Sequence, residues 1–189
     1  MKEITLPDSV VTVAQYAFFG NTEATKLTTG KNLMYIGVQA FGKCTALTTI
    51  DFYGSDGADK GNLISIDNSA FRECTALREV KIPDTVEALG SYVFASDTAL
   101  EKIVIRDLVI DRQTCEVRLA GAEVQLTDIE YRMLLLMAEN RRKVFSAQNL
   151  YESIWNEPYF YSCNNTIMVH IRNLRRKIEP DPDNPQYIK

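Results

Sequence analysis

Residues 164–178 combine cations and amides in a pattern that could bind a nucleic acid. The segment holds four cations and no acid. On a helix, spacings of three, four and three residues place a set of polar and apolar side chains on one side: Asn165, Met168, Arg172 and Arg175. Arginine can grip guanine or phosphate and asparagine can pair with adenine, so this side suits the major groove of DNA.

The same segment has an apolar stripe that predicts a helix packed against a core. Its members recur at spacings of four, three and four: Ile167, Ile171, Leu174 and Ile178. A helix that buries this stripe would turn its cations outward. The stripe alone does not separate a DNA-reading helix from a core helix with a solvated basic face, so both interpretations stand at this point.

Two further helices are predicted upstream. Thr127-Asp128-Ile129-Glu130 forms a capping box that starts the first, with Asn140 as a plausible C-cap. Its apolar side is expected to hold Ile129, Met133, Leu134 and Met137. The second helix begins near Ser146 and carries Leu150, Ile154 and Trp155.

Short apolar runs around these helices predict strands. Three precede the first helix: 108–110, 115–119 and 124–126. Residues 120–122 are expected to turn between the last two, and Tyr187-Ile188 reads as the start of another strand. The predicted order is strands, helix, helix, basic helix and strand.

This order and three phrases resemble the OmpR/PhoB-type winged-helix domain, the output domain of bacterial two-component response regulators. The phrases are LTDIEY, LYESIW and VHIRNLRRK, within residues 106–189. The resemblance implies an α+β winged helix-turn-helix whose third helix enters the major groove of double-stranded DNA. Carried over by position, it implies these DNA-binding residues: Asn165, Thr166, His170, Arg172, Asn173, Arg175 and Arg176.

The chain departs from that family in two places. Met168 stands where many relatives have Asp or another polar residue, and Asn165 or Asn173 stands where they have a basic residue. The preference for DNA sequence is therefore expected to differ. The sequence also stops at Lys189, before the strand that completes the family's C-terminal hairpin, the wing. We therefore expect a truncated hairpin with weaker DNA contacts and a frayed sheet edge.

The first half is a repeat. Four related pairs mark its units: Ala17-Phe18, Ala40-Phe41, Ala70-Phe71 and Val93-Phe94. Cys-Thr-Ala-Leu recurs at 44–47 and 74–77, and Gly54 to Gly61 reads as a polar surface insert. The Ala-Phe-x-x-Cys-Thr-x-Leu phrase resembles the BspA-type leucine-rich repeat over residues 1–105. That class implies a solenoid of short strands with irregular or helical arcs, serving as an interaction or adhesion surface.

Charge separates the two predicted domains, 1–105 and 106–189. The first holds nine Lys/Arg against thirteen Asp/Glu, and the second holds twelve of each. An acidic solenoid does not attract DNA, so contact must come from the basic helix. A second cluster, Arg141-Arg142-Lys143, could touch phosphate, but it is more typical of a solvated helix C-terminus.

The sequence predicts neither enzyme chemistry nor a cofactor. His170 is the only histidine and lies among arginines, and no Walker or Gly-x-Gly-x-x-Gly loop occurs. No Cys-x-x-Cys occurs, so we expect no zinc site, and Cys44 and Cys74 are expected as buried thiols rather than a disulfide. Met1-Lys2-Glu3 does not open a signal peptide and no run is long enough to span a bilayer, which favours the cytoplasm over a surface adhesin.

These patterns together predict a transcriptional regulator in which the solenoid replaces a phosphorylatable receiver domain. The solenoid would bind a protein partner, and its direct fusion to residue 106 predicts a fixed orientation. The aromatic segment 156–163 could contact RNA polymerase or pack inward, and the family makes a homodimer possible. The alternative is a scaffold protein whose winged helix no longer binds DNA.

Overall fold

A computed structural model describes residues 2–55, 60–140 and 144–188. The first half is the predicted solenoid, and each turn contributes two short strands. The strands are β1 (Glu3–Thr5), β2 (Thr12–Val13), β3 (Lys26–Thr28), β4 (Tyr35–Ile36), β5 (Thr49–Asp51), β6 (Ser65–Ile66), β7 (Glu79–Ile82), β8 (Ala88–Leu89) and β9 (Lys102–Ile105). Strands β1, β3 and β5 form one parallel ladder, and β2, β4, β6 and β8 form a second.

The solenoid core is built from equivalent residues stacked turn upon turn. Ile4 pairs in register with Leu27, and Leu27 with Ile50, so one apolar row lines the interior. A phenylalanine stack runs beside it, with ring centroids 5.1 Å apart for Phe18–Phe41 and 5.2 Å apart for Phe41–Phe71. One turn cannot bury these side chains alone, which is why the repeats must stack.

The arcs that close each turn form a third ladder and hold no helix in residues 2–55 and 60–105. The N–H groups of Phe18, Phe41 and Phe71 donate to the carbonyls of Ala40, Ala70 and Val93 in the next turn, at 2.8, 2.8 and 3.0 Å. Each arc places a non-glycine residue at positive φ in the same position: Tyr16, Gln39, Ser69 and Tyr92. Of the irregular or helical arcs expected, the structure has the irregular kind.

Strand pairing continues without interruption into the second half. Strand β10 (Leu108–Asp111) runs antiparallel to β9 and pairs Leu108 with Ile105, so only Arg106 and Asp107 separate the two. Strands β11 (Val117–Leu119) and β12 (Ala122–Glu123) extend the sheet, whose order is β12-β11-β10-β9-β7. The direct fusion expected at residue 106 is therefore a two-residue hairpin.

Three helices follow: α1 (Asp128–Ala138), α2 (Ala147–Trp155) and α3 (Asn164–Ile178), with a 3-10 turn (Tyr161–Cys163) before α3. The capping box of Thr127 and Glu130 is confirmed, and Ser146 caps α2 through its side chain. The C-cap of α1 is Glu139 rather than Asn140, whose side chain instead donates to the carbonyl of Leu136 at 2.9 Å.

Two predicted strands are wrong. Residues 124–126 are extended without being a strand, because Val124 makes one bond to Val117 (2.8 Å) and the chain then enters the N-cap of α1. The strand lies earlier, at Ala122–Glu123, after a turn at residues 120 and 121. Tyr187 and Ile188 form no strand because a side chain, that of Glu179, accepts from their N–H groups.

The cysteines of the repeat are free and buried, as expected for Cys44 and Cys74. Each thiol donates to a carbonyl of the preceding turn, at 3.3 Å. Burial raises the pKa of the Cys44 thiol to about 11. Within the described residues, no group of potential metal ligands forms a cluster, and no helix has the length and apolarity to cross a membrane.

Asp97 occupies the cysteine position of the last turn, where Asp-Thr-Ala-Leu replaces Cys-Thr-Ala-Leu. The residue is only 3% exposed. One carboxylate oxygen accepts from the N–H of Cys74 at 2.8 Å, while Oδ2 is buried and has no hydrogen-bond partner in the structure. Burial raises its pKa to about 8, although the Cys74 N–H and the charge of Arg112 act in the opposite direction.

We predict that Asp97 makes the protein less stable as pH rises. The unfolded carboxyl ionises near its ordinary pKa of about 4, whereas the folded one stays protonated to about 8, so the free energy of unfolding should fall between these values. Asp97→Asn keeps an acceptor for the Cys74 N–H and cannot ionise. Urea unfolding at pH 5, 6, 7 and 8 should show a decline in the natural protein, on the order of a few kcal/mol, that the variant lacks. Equal declines in both proteins would contradict this assignment.

Candidate nucleic-acid interface

Helix α3 is fixed by the predicted apolar stripe. Ile167, Leu174 and Ile178 are buried against α1 and α2, and Ile171 is half-buried. Burying each such side chain contributes roughly 1.5–3 kcal/mol. The stripe therefore decides which side of α3 faces solvent.

A buried acid ties the C-terminal end of α3 to the start of α1. Glu130 is 2% exposed, and its Oε2 lies 2.7 Å from the Nζ of Lys177 and 2.8 Å from the backbone nitrogen of Thr127. Burial alone would raise the pKa of Glu130, but the bonds from Lys177 and Thr127 outweigh it, and the pKa is lowered. Lys177 is thus committed to holding α3 in place.

The exposed row of α3 consists of residues spaced by four, three and four: Asn165, Val169, Arg172 and Arg176. Val169 is 51% exposed, and neighbouring Met168 is 52% exposed. Arg172 and Arg176 form no ion pair with any residue that the structure describes. Two uncompensated guanidiniums, an amide and an apolar surface therefore face solvent together.

Arg175 lies outside this row although its spacing from Arg172 suggested one shared side. It is half-buried, and its Nε donates to the carbonyl of Ile188 at 3.0 Å. Of the other predicted contact residues, Thr166 is exposed and Asn173 is half-buried on the far flank of the row. The structure brings Asn165, Arg172 and Arg176 together and sets Arg175 apart.

His170 packs against the neighbouring helix. Its ring lies 5.7 Å from that of Trp155, and its Nδ1 is buried without a hydrogen-bond partner in the described part of the chain. Trp155 in turn stacks on Tyr151 at 4.8 Å. One edge of the imidazole is therefore held inside this aromatic group, and the residue is half-buried.

The segment after α3 is anchored by a residue that the sequence did not single out. Glu179, the C-cap of α3, accepts from the backbone N–H groups of Gln186, Tyr187 and Ile188 at 2.7, 2.9 and 2.7 Å.

Val169 is a second residue of the exposed surface that the sequence analysis missed. Its spacing of four from Asn165 and three from Arg172 is a helical signal present in the sequence.

The loop between α2 and α3 divides its aromatic residues between two environments. Phe160 is 65% exposed and Tyr161 88% exposed, whereas Tyr159 is half-buried with its ring 6.1 Å from that of Tyr151. Two of the three are thus available for contact. The basic cluster Arg141-Arg142-Lys143 lies outside the described residues.

Comparison with protein families matches the two parts of the chain to two different families. The model of the BspA type leucine-rich repeat region matches residues 1–114 in six copies. The model of the transcriptional regulatory protein C-terminal region matches residues 121–189.

Individual relatives are similar to parts of the chain. Over 67 residues it is 61% identical to an uncharacterized transcriptional regulatory protein of Bacillus subtilis, YrkP. The matched segment covers 35% of this chain and 29% of that protein. Over 96 residues it is 46% identical to a second such protein of that species, YcbL, covering 50% and 42%. The chain thus covers less than half the length of either relative. A crystal structure of a leucine-rich repeat protein from Bacteroides capillosus is 26% identical, with a TM-score of 0.48 over 56% of this chain and 78% of that one.

Proposed function

Since the chain belongs to the BspA-type leucine-rich repeat family and joins it to the C-terminal domain of transcriptional regulatory proteins, we propose that it is a DNA-binding regulator. Its helix α3 reads the major groove of double-stranded DNA, and its solenoid binds a protein. In this proposal residues 1–105 and 106–189 are the two functional domains. A protein that acts on chromosomal DNA works in the bacterial cytoplasm.

The exposed row of α3 carries this proposal. Arg172 and Arg176 have no acidic partner among the described residues, so their charge is available to phosphate or guanine. Asn165 stands in the first turn of the helix, the part that contacts base edges in helix-turn-helix proteins. The second half of the chain has no net charge, so binding depends on this local arrangement.

The remaining proposed contacts lie beside the row. Thr166 is exposed one position from Asn165, within reach of phosphate, and His170 and Asn173 follow on the same flank. Arg175 can join only if it leaves the carbonyl of Ile188. We assign direct contacts to the row and supporting contacts to the flank.

We predict that Arg172→Ala/Arg176→Ala abolishes most DNA binding. Each lost phosphate contact should reduce the slope of log K against log salt concentration by about 0.9. Fluorescence anisotropy with duplex DNA across a salt series measures both affinity and slope.

Arg72→Ala/Arg78→Ala provides a matched control, because it removes two exposed arginines from the solenoid. It should bind DNA like the natural protein. Equal losses in the two double variants would show that charge, and not the exposed row, governs binding.

A second candidate function is a scaffold in which the winged helix contacts protein only. Two observations favour it: Lys177 and Arg175 are both engaged inside the protein, and the half that contains them has zero net charge. Absence of DNA binding at low salt would select this candidate.

The solenoid is proposed to act as an input module in place of a receiver domain. Its sheet continues into β10 through a two-residue hairpin, so anything bound to the repeats is held at a defined distance from α3. Tyr35 in β4 and Val11, which precedes β2, are both exposed, and the backbone N–H of Tyr35 donates to the carbonyl of Val11 at 3.3 Å. Exposed apolar residues on adjoining turns suit a protein contact. A second copy of the chain is one possible partner.

We expect a photo-reactive phenylalanine at Tyr35 to crosslink to one protein in cells. The same amino acid at exposed Thr114, in the loop between β10 and β11, is the control. A discrete adduct of a partner or of a second copy, seen only from position 35, would support the input role. Identical adduct patterns from both positions would remove this surface from consideration.

The α2–α3 loop is proposed to contact RNA polymerase through Phe160 and Tyr161. We predict that Phe160→Ser/Tyr161→Ser lowers transcription in a purified system severalfold while leaving DNA affinity unchanged, because neither ring packs in the core. Tyr92→Ser, which removes an exposed ring from the solenoid, is the control. Unaltered transcription by the double variant would exclude this contact.

A further inference from the structure

A short segment that follows α3 in the sequence contacts both α3 and the hairpin at the end of the solenoid. We call residues 186–188 the clasp. On one side it is bound to α3, because the carboxylate of Glu179 accepts from all three of its N–H groups and Arg175 donates to the carbonyl of Ile188 at 3.0 Å. Ile188 is buried, so the clasp is packed as well as hydrogen-bonded.

On its other side the clasp is bound to the hairpin that ends the solenoid. Arg106 donates from Nη1 to the side chain of Gln186 at 2.9 Å and lies 5.9 Å from the ring centroid of Tyr187. The hydroxyl of Tyr187 donates to Asp107. Arg106 also stands 4.0 Å from Asp84, in the turn after β7, so one guanidinium contacts the clasp and the repeats together.

Arg175 is adjacent to the exposed row. It follows Arg172 by three residues, so the two are surface neighbours on the helix. Its Nε–H donates to a backbone carbonyl of the clasp, and that carbonyl carries no net charge. A DNA phosphate is a stronger acceptor for a guanidinium than a carbonyl is, because both partners are charged.

We propose that the clasp is an autoinhibitory contact: Arg106 fastens it to the solenoid, and the fastened clasp withholds Arg175 from DNA. Release of the clasp adds one cation to the exposed row and one phosphate contact to the complex. This proposal rests on the proposed function, because it assumes that α3 binds DNA. It makes Arg106 a positioning residue that acts on DNA through two intermediates, the clasp and Arg175.

Arg106→Gly is the variant that tests the fastening. Arg106 has a φ of +55°, which glycine adopts more easily than any other residue, so the hairpin should keep its shape while the guanidinium is lost. In ¹⁵N-edited spectra of the full chain, the Nε–H of Arg175 should exchange slowly with water. Exchange should accelerate about tenfold or more in Arg106→Gly and stay slow in Arg118→Ala, which removes a cation from β11. This readout needs no DNA.

DNA binding by the same proteins tests the consequence. Arg106→Gly should bind duplex DNA about three- to tenfold more tightly at low salt, with a salt slope steeper by about 1, although it has lost a positive charge. Adding Arg175→Gln should cancel the gain in both quantities.

The outcomes separate two kinds of failure. Unchanged Nε–H exchange in Arg106→Gly, or a gain in affinity that survives Arg175→Gln, would overturn the clasp. If exchange accelerates as expected but no variant binds DNA, the proposed function fails and the autoinhibitory role with it.

Discussion

The antiparallel pairing of β9 with β10 is the constraint on which the rest of the molecule depends. Strand β9 is the last strand of the parallel repeat ladder, and β10 is the first strand that follows it in the chain. Because the two share four residue pairs, their buried residues lie in one continuous core: Ile103, Ile105, Leu108 and Ile110 are all buried. A domain joined in this way cannot swing freely, in contrast to one attached by a linker.

Because the second half is held in place, it matters which cations of α3 are exposed. Lys177 is held by buried Glu130, and Arg175 by the carbonyl of Ile188, whereas Arg172 and Arg176 stand free of the described acids. Half of the helix's cations therefore fix its position, and half are available at the surface. A count of basic residues does not reveal this division, since it arises from contacts with residues 47 and 13 positions away.

The elements of the fold were largely predictable, because their signals are local. The capping side chains of Thr127 and Ser146 fixed two helix starts, and the recurring Ala-Phe pairs fixed the repeat. The orientation of α3 was less accessible. Residues 165, 168, 172 and 175 and residues 165, 169, 172 and 176 both satisfy helical spacing, and Met168 and Val169 are about equally exposed. The structure separates the two sets at their last member, because Arg176 is exposed whereas Arg175 is half-buried and donates to the carbonyl of Ile188. The role of Glu179 depends on a bend of the chain that brings residues 186–188 next to the end of α3. Helical periodicity does not predict such a bend.

Within the described arcs, the backbone N–H groups of an earlier turn donate to the backbone carbonyls of the next turn, so this backbone ladder has one direction. A repeat ladder of this kind can be extended by further turns, because no contact within a single turn ends the stack. Strand β10 supplies the stop: it lies where the strand of another repeat would add and runs the opposite way, so the parallel stack ends there. The second half of the chain is thus also the cap of the solenoid, and it covers a strand edge on which unrelated chains could otherwise assemble.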